Sequence, residues 1–213
     1  MKISIINGSP KGGKSTSELM IGYLTDRMSD YDVKIYNICK TILSEEQYTN
    51  IKNSDVLIFA FPLYIDSIPS HLLRFLVDLE EQTFQRKDIM VYCIVNNGFY
   101  EGKQNRIVIE QMKHWCKTVG LKWGQTIGIG AGEMLPFIKN VPLGYGPQKN
   151  IGYAINQLSA NILSGKNGED IMVSPNWPRP LWRIQSSTLV WYPRAKANGV
   201  KRKELHKRWK YRA

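Results

Sequence analysis

The chain is poor in the residues that build disulfide scaffolds and zinc sites. Its 213 residues include three cysteines and three histidines. Cys39, Cys93 and Cys116 are odd in number, and they form no zinc spacing with His71 or His114, so three reduced thiols and no metal site are expected. No apolar run approaches the ~18 residues that a spanning helix needs, and the apolar part of MKISIINGSPKGG is too short for a secretory signal. Neither membrane insertion nor export is expected, and the expected location is cytoplasmic. Wholesale disorder is excluded in turn by 43% apolar and 22% charged residues, close to globular averages.

Acidic residues are almost missing from the C-terminal end. Between Arg179 and Ala213 eleven Lys/Arg face the single Glu204, a local +10, so residues 1–178 carry about +1 of the total +11. The basicity therefore belongs to a tail, and no recognisable DNA or RNA module accompanies it.

For the first 165 residues, strand-like apolar runs alternate with helix-like periodic ones, which implies βαβ units around a parallel sheet. The expected strands are Lys2 to Asn7, Asp32 to Asn37, Asp55 to Phe61, Asp88 to Val95 and Trp123 to Gly130. The third and fourth are almost continuously apolar, as strands covered on both faces should be. Helical stripes are visible in Val108, Met112, Trp115, Cys116 and Val119, and again in Ile151, Ala154, Ile155, Leu158 and Ile162. Ser15 and Glu18 have capping-box spacing, and Pro69 is placed for a helix's first turn. Periodicity fades after Gly165, so the chain divides into an α/β domain over 1–165 and a basic extension over 166–213. The extension holds Trp177, Trp182, Trp191 and Trp209, four of the six tryptophans.

In IINGSPKGGKSTSE a strand runs through a Gly/Ser-rich turn into a helix start, bringing backbone N–H groups and a helix dipole to one point suited to an anion. Gly8 to Ser15 also match the nucleotide-triphosphate P-loop pattern, with Lys14 as its lysine. Against that reading, the neighbouring strands end in Phe61-Pro62 and Asn96-Asn97, without the carboxylate that would hold Mg²⁺. Ser9, Ser15, Thr16 and Ser17, with Lys11 or Lys14, suit the oxygens of one terminal phosphate without a metal. A purely structural turn is the third reading.

Two further loops reach the same sheet edge, where ligands of open α/β sheets bind. Pro62-Leu63-Tyr64-Ile65, stiffened by Pro62 and Pro69, suits holding a flat heterocycle, with Tyr64 as the stacking candidate. Asn96, Asn97, Gly98 and Tyr100 suit a second wall whose amides read a ring's polar edge, although Asn-Gly is also a plain turn pair.

Taken together, NGSPKGGKSTSE, FPLYIDSIPSHLLRFL, VNNGFYEGKQNR and IGIGAGEML resemble the flavodoxin-like NAD(P)H-dependent FMN reductase family over residues 1–165. The SPNWPRPLWR block with its basic end is similar to an extension carried by a subset of that family. The resemblance implies a flavodoxin-like three-layer sandwich with a five-stranded parallel sheet of order 2-1-3-4-5, noncovalent FMN, and NADH or NADPH as transient co-substrate. It implies that Ser9, Lys11, Ser15, Thr16 and Ser17 hold the FMN phosphate, that Pro62, Leu63, Tyr64 and Ile65 border the isoalloxazine, and that Asn96, Asn97, Gly98 and Tyr100 form the opposite loop. A homodimer and a small electron acceptor (quinone, nitro compound or flavin) follow from the same resemblance.

No histidine is placed as an acid or base, since the flavin supplies the reactive atoms and the protein supplies orientation. Gly128, Gly130 and Gly132 form no dinucleotide fingerprint, so a nicotinamide would bind transiently over the flavin. The loop GEMLPFIKNVPLGYGPQK reads as a lid or a dimer contact. Three readings stand for the tail: a solvated helix, a clamp for NADPH phosphates or an acidic partner, and an anchor on an anionic surface. Specific nucleic-acid binding is not expected. The rival functions are a flavodoxin-type electron carrier, which fits a basic chain less well, and a P-loop nucleotide hydrolase.

Overall fold

The computed structural model describes residues 1–11, 15–39, 43–205 and 207. Lys14 and Trp209, both named above, lie outside them, as does His206. The chain divides into two compact units, Met1–Asn176 and Trp177–Ala213.

In the first unit, six parallel strands form one sheet: β1 (Lys2–Asn7), β2 (Asp32–Asn37), β3 (Val56–Pro62), β4 (Met90–Asn96), β5 (Lys122–Ile129) and β6 (Ile171–Val173), in the order β2-β1-β3-β4-β5-β6. The expected order 2-1-3-4-5 holds, but the expected count of five is corrected to six. In sequence Ile171–Val173 falls in the extension, since three residues show no period and stand in a Pro-rich stretch. Here they pair with Ile127–Ile129 of β5. Asp170, just before them, accepts from the Thr126 N–H at 2.8 Å and from Lys113 Nζ at 2.8 Å, which pins the strand's entry to its neighbours.

Helices cover both sheet faces. Along β3, Leu57, Phe59 and Phe61 enter one core with α3 (Ser70–Glu81) and α4 (Arg106–Thr118). Val56, Ile58 and Ala60 enter the other, with α1 (Thr16–Thr25) and α5 (Lys149–Ser164). The strand period of two thus feeds two layers, which accounts for its unbroken apolar run. The shorter α2 (Glu45–Lys52) starts at a full capping box of Ser44 and Gln47. Ser15 caps α1 by accepting from the Glu18 N–H, while Pro69 sits at the cap of α3 rather than inside its first turn.

The cysteines are free thiols, Cys39 exposed and the other two buried; burial pushes Cys116 up to about 12 and Cys93 also upward.

Asp55 sits at the sheet's opposite edge, where it accepts from the Lys2 N–H at 2.8 Å and from Arg86 at 2.9 Å. These bonds, the Lys2 amide first, hold its carboxyl below the ordinary 3.8. A carboxylate depressed by folding adds stability above its unfolded pKa and loses it as pH falls through the folded one. Asp55→Asn should therefore lower the urea midpoint at neutral pH, and the gap from wild type should close as pH drops through and below the ordinary carboxylate range.

Candidate functional site

The C-terminal ends of β1, β3, β4 and β5 deliver their loops to one cleft that opens to solvent. Its first wall is the β1–α1 turn. Gly8 leaves the strand against α3 and β3, where an added Cβ would stand 2.8 Å from Leu72 Cδ2 and 3.0 Å from Phe61 Cβ, so no larger residue fits without displacement. Asn7 fixes the turn, donating to Asn37 at 2.8 Å and accepting from the Ser9 N–H at 3.1 Å.

Ser9, Ser15 and Ser17 are buried, and each hydroxyl oxygen already accepts: Ser9 from the Lys11 N–H at 3.3 Å, Ser15 from the Glu18 N–H at 3.1 Å and Ser17 from Asn96 Nδ2 at 3.0 Å. Among the described residues none of the three hydroxyl protons has an acceptor. Three O–H donors are therefore free to turn toward the cleft, beside the amides of Thr16 and Ser17, which the first helical turn leaves without intrahelical acceptors. Thr16 differs, because its hydroxyl donates to the Gly132 carbonyl at 2.9 Å and ties α1 to the loop after β5. Lys11 lies exposed at the rim.

Pro62, Leu63 and Tyr64 form the second wall, and the Leu63 N–H donates to the Asn96 carbonyl at 2.7 Å. Tyr64 and Ser67 then pair as an antiparallel bridge around Ile65 and Asp66, whose φ values of 49° and 53° are both left-handed. That φ pattern belongs to type I′ turns, which favour Asn-Gly. A β-branched residue there is strained, and Ile65 is also wholly exposed. Ile65→Gly should therefore raise the thermal midpoint, by the equivalent of about 1 kcal/mol, in scanning calorimetry of the apo protein.

The third wall is Asn96, Asn97 and Gly98. Asn96 is spent inside, donating to Ser17 and to the Phe61 carbonyl at 3.2 Å. Asn97 donates through Nδ2 to the Glu101 carbonyl at 3.2 Å, while its buried Oδ1 has no partner among the described residues. An orphaned acceptor bordering a cleft suits a ligand N–H.

The structure thus brings together eleven of the thirteen residues named from the sequence, all but Ile65 and Tyr100. Ile65 points to solvent beyond the cleft, and the Tyr100 hydroxyl donates instead to the Pro175 carbonyl at 3.4 Å. Glu133 lines the cleft and was missed. It follows β5 in a 3₁₀ turn (Gly132–Phe137), and the only signal for it was its place in the IGIGAGEML block. Burial, seconded by Glu133, pushes the Tyr64 hydroxyl above its ordinary value. Among the described residues no three His, Cys, Asp or Glu gather to hold a metal.

No family model matches the chain, and no curated protein sequence does. Several solved structures share its fold at low identity. An NADH:FMN oxidoreductase in its apo form is 18% identical, with a TM-score of 0.61 over 85% of this chain and 98% of that one. An FMN-dependent NADH-azoreductase from Bacillus anthracis, solved in complex with FMN, is 13% identical at 0.58, over 76% and 99%. A flavodoxin from Streptococcus pneumoniae TIGR4 is 12% identical at 0.55, over 76% and 99%. The fold is flavodoxin-like.

Proposed function

We propose that the chain is an FMN-dependent oxidoreductase that carries electrons from NADH or NADPH to a small acceptor such as a quinone, nitro compound or flavin. The observation that carries this reading is the pairing, in one cleft, of three uncommitted serine hydroxyls with the orphaned Asn97 Oδ1. A ligand that fits must combine a compact anion with an N–H-bearing polar edge. FMN has both, and when bound it supplies a ring that takes a hydride and passes electrons on.

Ser9, Ser15, Ser17, the α1 amides and Lys11 would hold the phosphate. Pro62, Leu63 and Tyr64 would border the ring, Asn97 would accept from its imide N–H, and Gly98 would complete the opposite wall. Thr16 serves by holding the loop after β5 in place. Ile65 and Tyr100 are left out of direct contact in this reading. The fold shared with an FMN-dependent azoreductase solved with FMN supports the assignment.

The flavodoxin neighbour favours a second reading, an electron carrier with the same cofactor. One anaerobic experiment separates the two. The purified protein should take up FMN and turn yellow, added NADPH or NADH should bleach it, and an acceptor should then restore the colour while the nicotinamide is consumed in turnover. A yellow protein inert to both nicotinamides would be a carrier, and a colourless one that refuses FMN would sink both readings. The hydrolase reading has little support, since β3 and β4 end in Pro62 and Asn96 with no carboxylate for Mg²⁺.

The same reading includes a cytoplasmic location and a homodimer. The dimer draws on Leu73 and Val77 of α3 and Ile107 of α4, large apolar side chains left exposed along one groove. Val77→Asp with Ile107→Asp should shift the protein from dimer to monomer in sedimentation velocity.

A further inference from the structure

The second unit begins at Trp177. Between Arg179 and Ala197 it is helical throughout: α6 (Arg179–Gln185), a wide π turn (Ser186–Trp191) and α7 (Tyr192–Ala197). Pro193 lacks an N–H and would crowd the carbonyl four residues earlier in a regular helix, which gives the widened turn its cause.

This stretch displays apolar side chains that a solvated helix would not hold and a packed helix would hide. Leu181 is 47% exposed, Ile184 58%, Leu189 68% and Trp191 59%. Val200 and Leu205 continue the series toward the end of the described chain. Interleaved with them, Arg183, Lys196, Lys201 and Lys203 are exposed, and the whole segment from Arg179 carries +10 in sequence. Cations also gather on the aromatic rings, Arg194 at 5.8 Å from the Trp191 centroid and Arg202 at 4.3 Å from that of Tyr192.

From this combination we infer that Arg179–Leu205 is a docking surface for anionic lipid, seated in the headgroup layer and not across it. Three occupants compete for such a surface, and the charge and the aliphatic side chains separate them. A second copy offers either another +10 tail, which repels, or a body near neutrality. A nucleic acid would satisfy the Lys/Arg and could stack on Trp191, but its phosphate backbone gives Leu181, Ile184 and Leu189 nothing to enter. A bilayer surface rich in anionic headgroups satisfies both sets at once. Its phosphates take the cations, its outer acyl zone takes the aliphatics, and tryptophan partitions to the boundary between them. No helix among the described residues is long and apolar enough to cross a membrane, so the contact would be interfacial.

The inference stands apart from the flavin reading and is tested without it. The purified full-length protein is floated with vesicles of phosphatidylcholine alone and of phosphatidylcholine mixed with phosphatidylglycerol, with tryptophan emission recorded in parallel. Binding to the anionic vesicles only, with a blue shift, is the expected result. The charge-neutral triple L181S/I184S/L189S should lose on the order of tenfold or more in partitioning. The exposed quadruple R183Q/K196Q/K201Q/K203Q should lose on the order of a thousandfold. Far-UV circular dichroism of both variants establishes that they are folded. Absence of flotation overturns the inference. So does flotation that the apolar triple leaves unchanged, since that is the adsorption any polyanion, nucleic acid included, would give. A self-association broken by the apolar triple in the absence of lipid, with no flotation, would assign the surface to a second copy instead.

Discussion

Replacing Ser9 and Ser17 together by alanine should weaken FMN binding by about two to four orders of magnitude while leaving riboflavin binding nearly untouched. Each hydroxyl already accepts a hydrogen bond, so each proton is available to a phosphate, and a hydrogen bond to a charged group contributes roughly 1.5–3 kcal/mol. Two such losses convert to about 3–6 kcal/mol of affinity. The fold should survive the change. Asn96 Nδ2, which gives up Ser17 as an acceptor, keeps the Phe61 carbonyl at 3.2 Å, and the Lys11 amide lies near solvent. Ser15 is the wrong residue for this test because it also caps α1, and its alanine would cost about 1 kcal/mol of helix stability on its own. Titration calorimetry with both ligands decides the matter. Equal losses for FMN and riboflavin would mean that the serines shape the cleft without touching a phosphate, and no loss for either would remove them from the site.

How much of this was legible in the residues depends on how local the signal was. The bounds of β1 and β2 match the expected ones to the residue, and β3, β4 and β5 shift by one or two, because apolar runs between turn residues mark parallel strands well. The short β6 carries no such signal. It depends on partners at Ile127–Ile129 and on Asp170 pinning its entry, which are tertiary facts. The cleft shows the same division. Ser9, Ser15 and Ser17 are legible from a turn running into a capped helix, but whether a hydroxyl donates inward or outward is not. Thr16 is indistinguishable in sequence from its neighbours, yet it spends its proton on Gly132, more than a hundred residues away. Tyr100 stands three residues beyond Asn97, but its hydroxyl reaches the Pro175 carbonyl. Glu133 depends on how the chain turns after β5, with Ala131 in the left-handed region.

Gly124→Ala should cost about 3 kcal/mol of folding stability, and the cost should fall sharply when Tyr92 is shortened as well. Between Val91 and Tyr92 the β4–β5 register slips, since Trp123 pairs with Val91 while Gln125 pairs with Tyr92, leaving Gly124 as the unpaired residue of a bulge. The Tyr92 ring fills the space that a side chain at Gly124 would occupy, in direct clash with any Cβ. Nor can the ring step aside. It is fully buried, and its hydroxyl donates to the Asn161 carbonyl at 3.2 Å and the Lys166 carbonyl at 2.7 Å, fastening the end of α5 to the sheet. Burial also raises that hydroxyl to about 12, so it remains a donor throughout the physiological range. Overpacking against a ring held at both ends sits at the upper end of the usual ~1–3 kcal/mol. Tyr92→Leu alone should cost about 2–4 kcal/mol through lost packing and the loss of the donor to the Lys166 carbonyl. If the bulge exists to accommodate the ring, the double variant should be more stable than the sum of the singles implies, by about 1–2 kcal/mol in urea unfolding. Strict additivity would mean that Gly124 is needed for its backbone alone. The distinction reaches the cleft, because β5 beyond the bulge carries the register that places Ile129 opposite Asn96 and sets the loop bearing Glu133 at the mouth of the site.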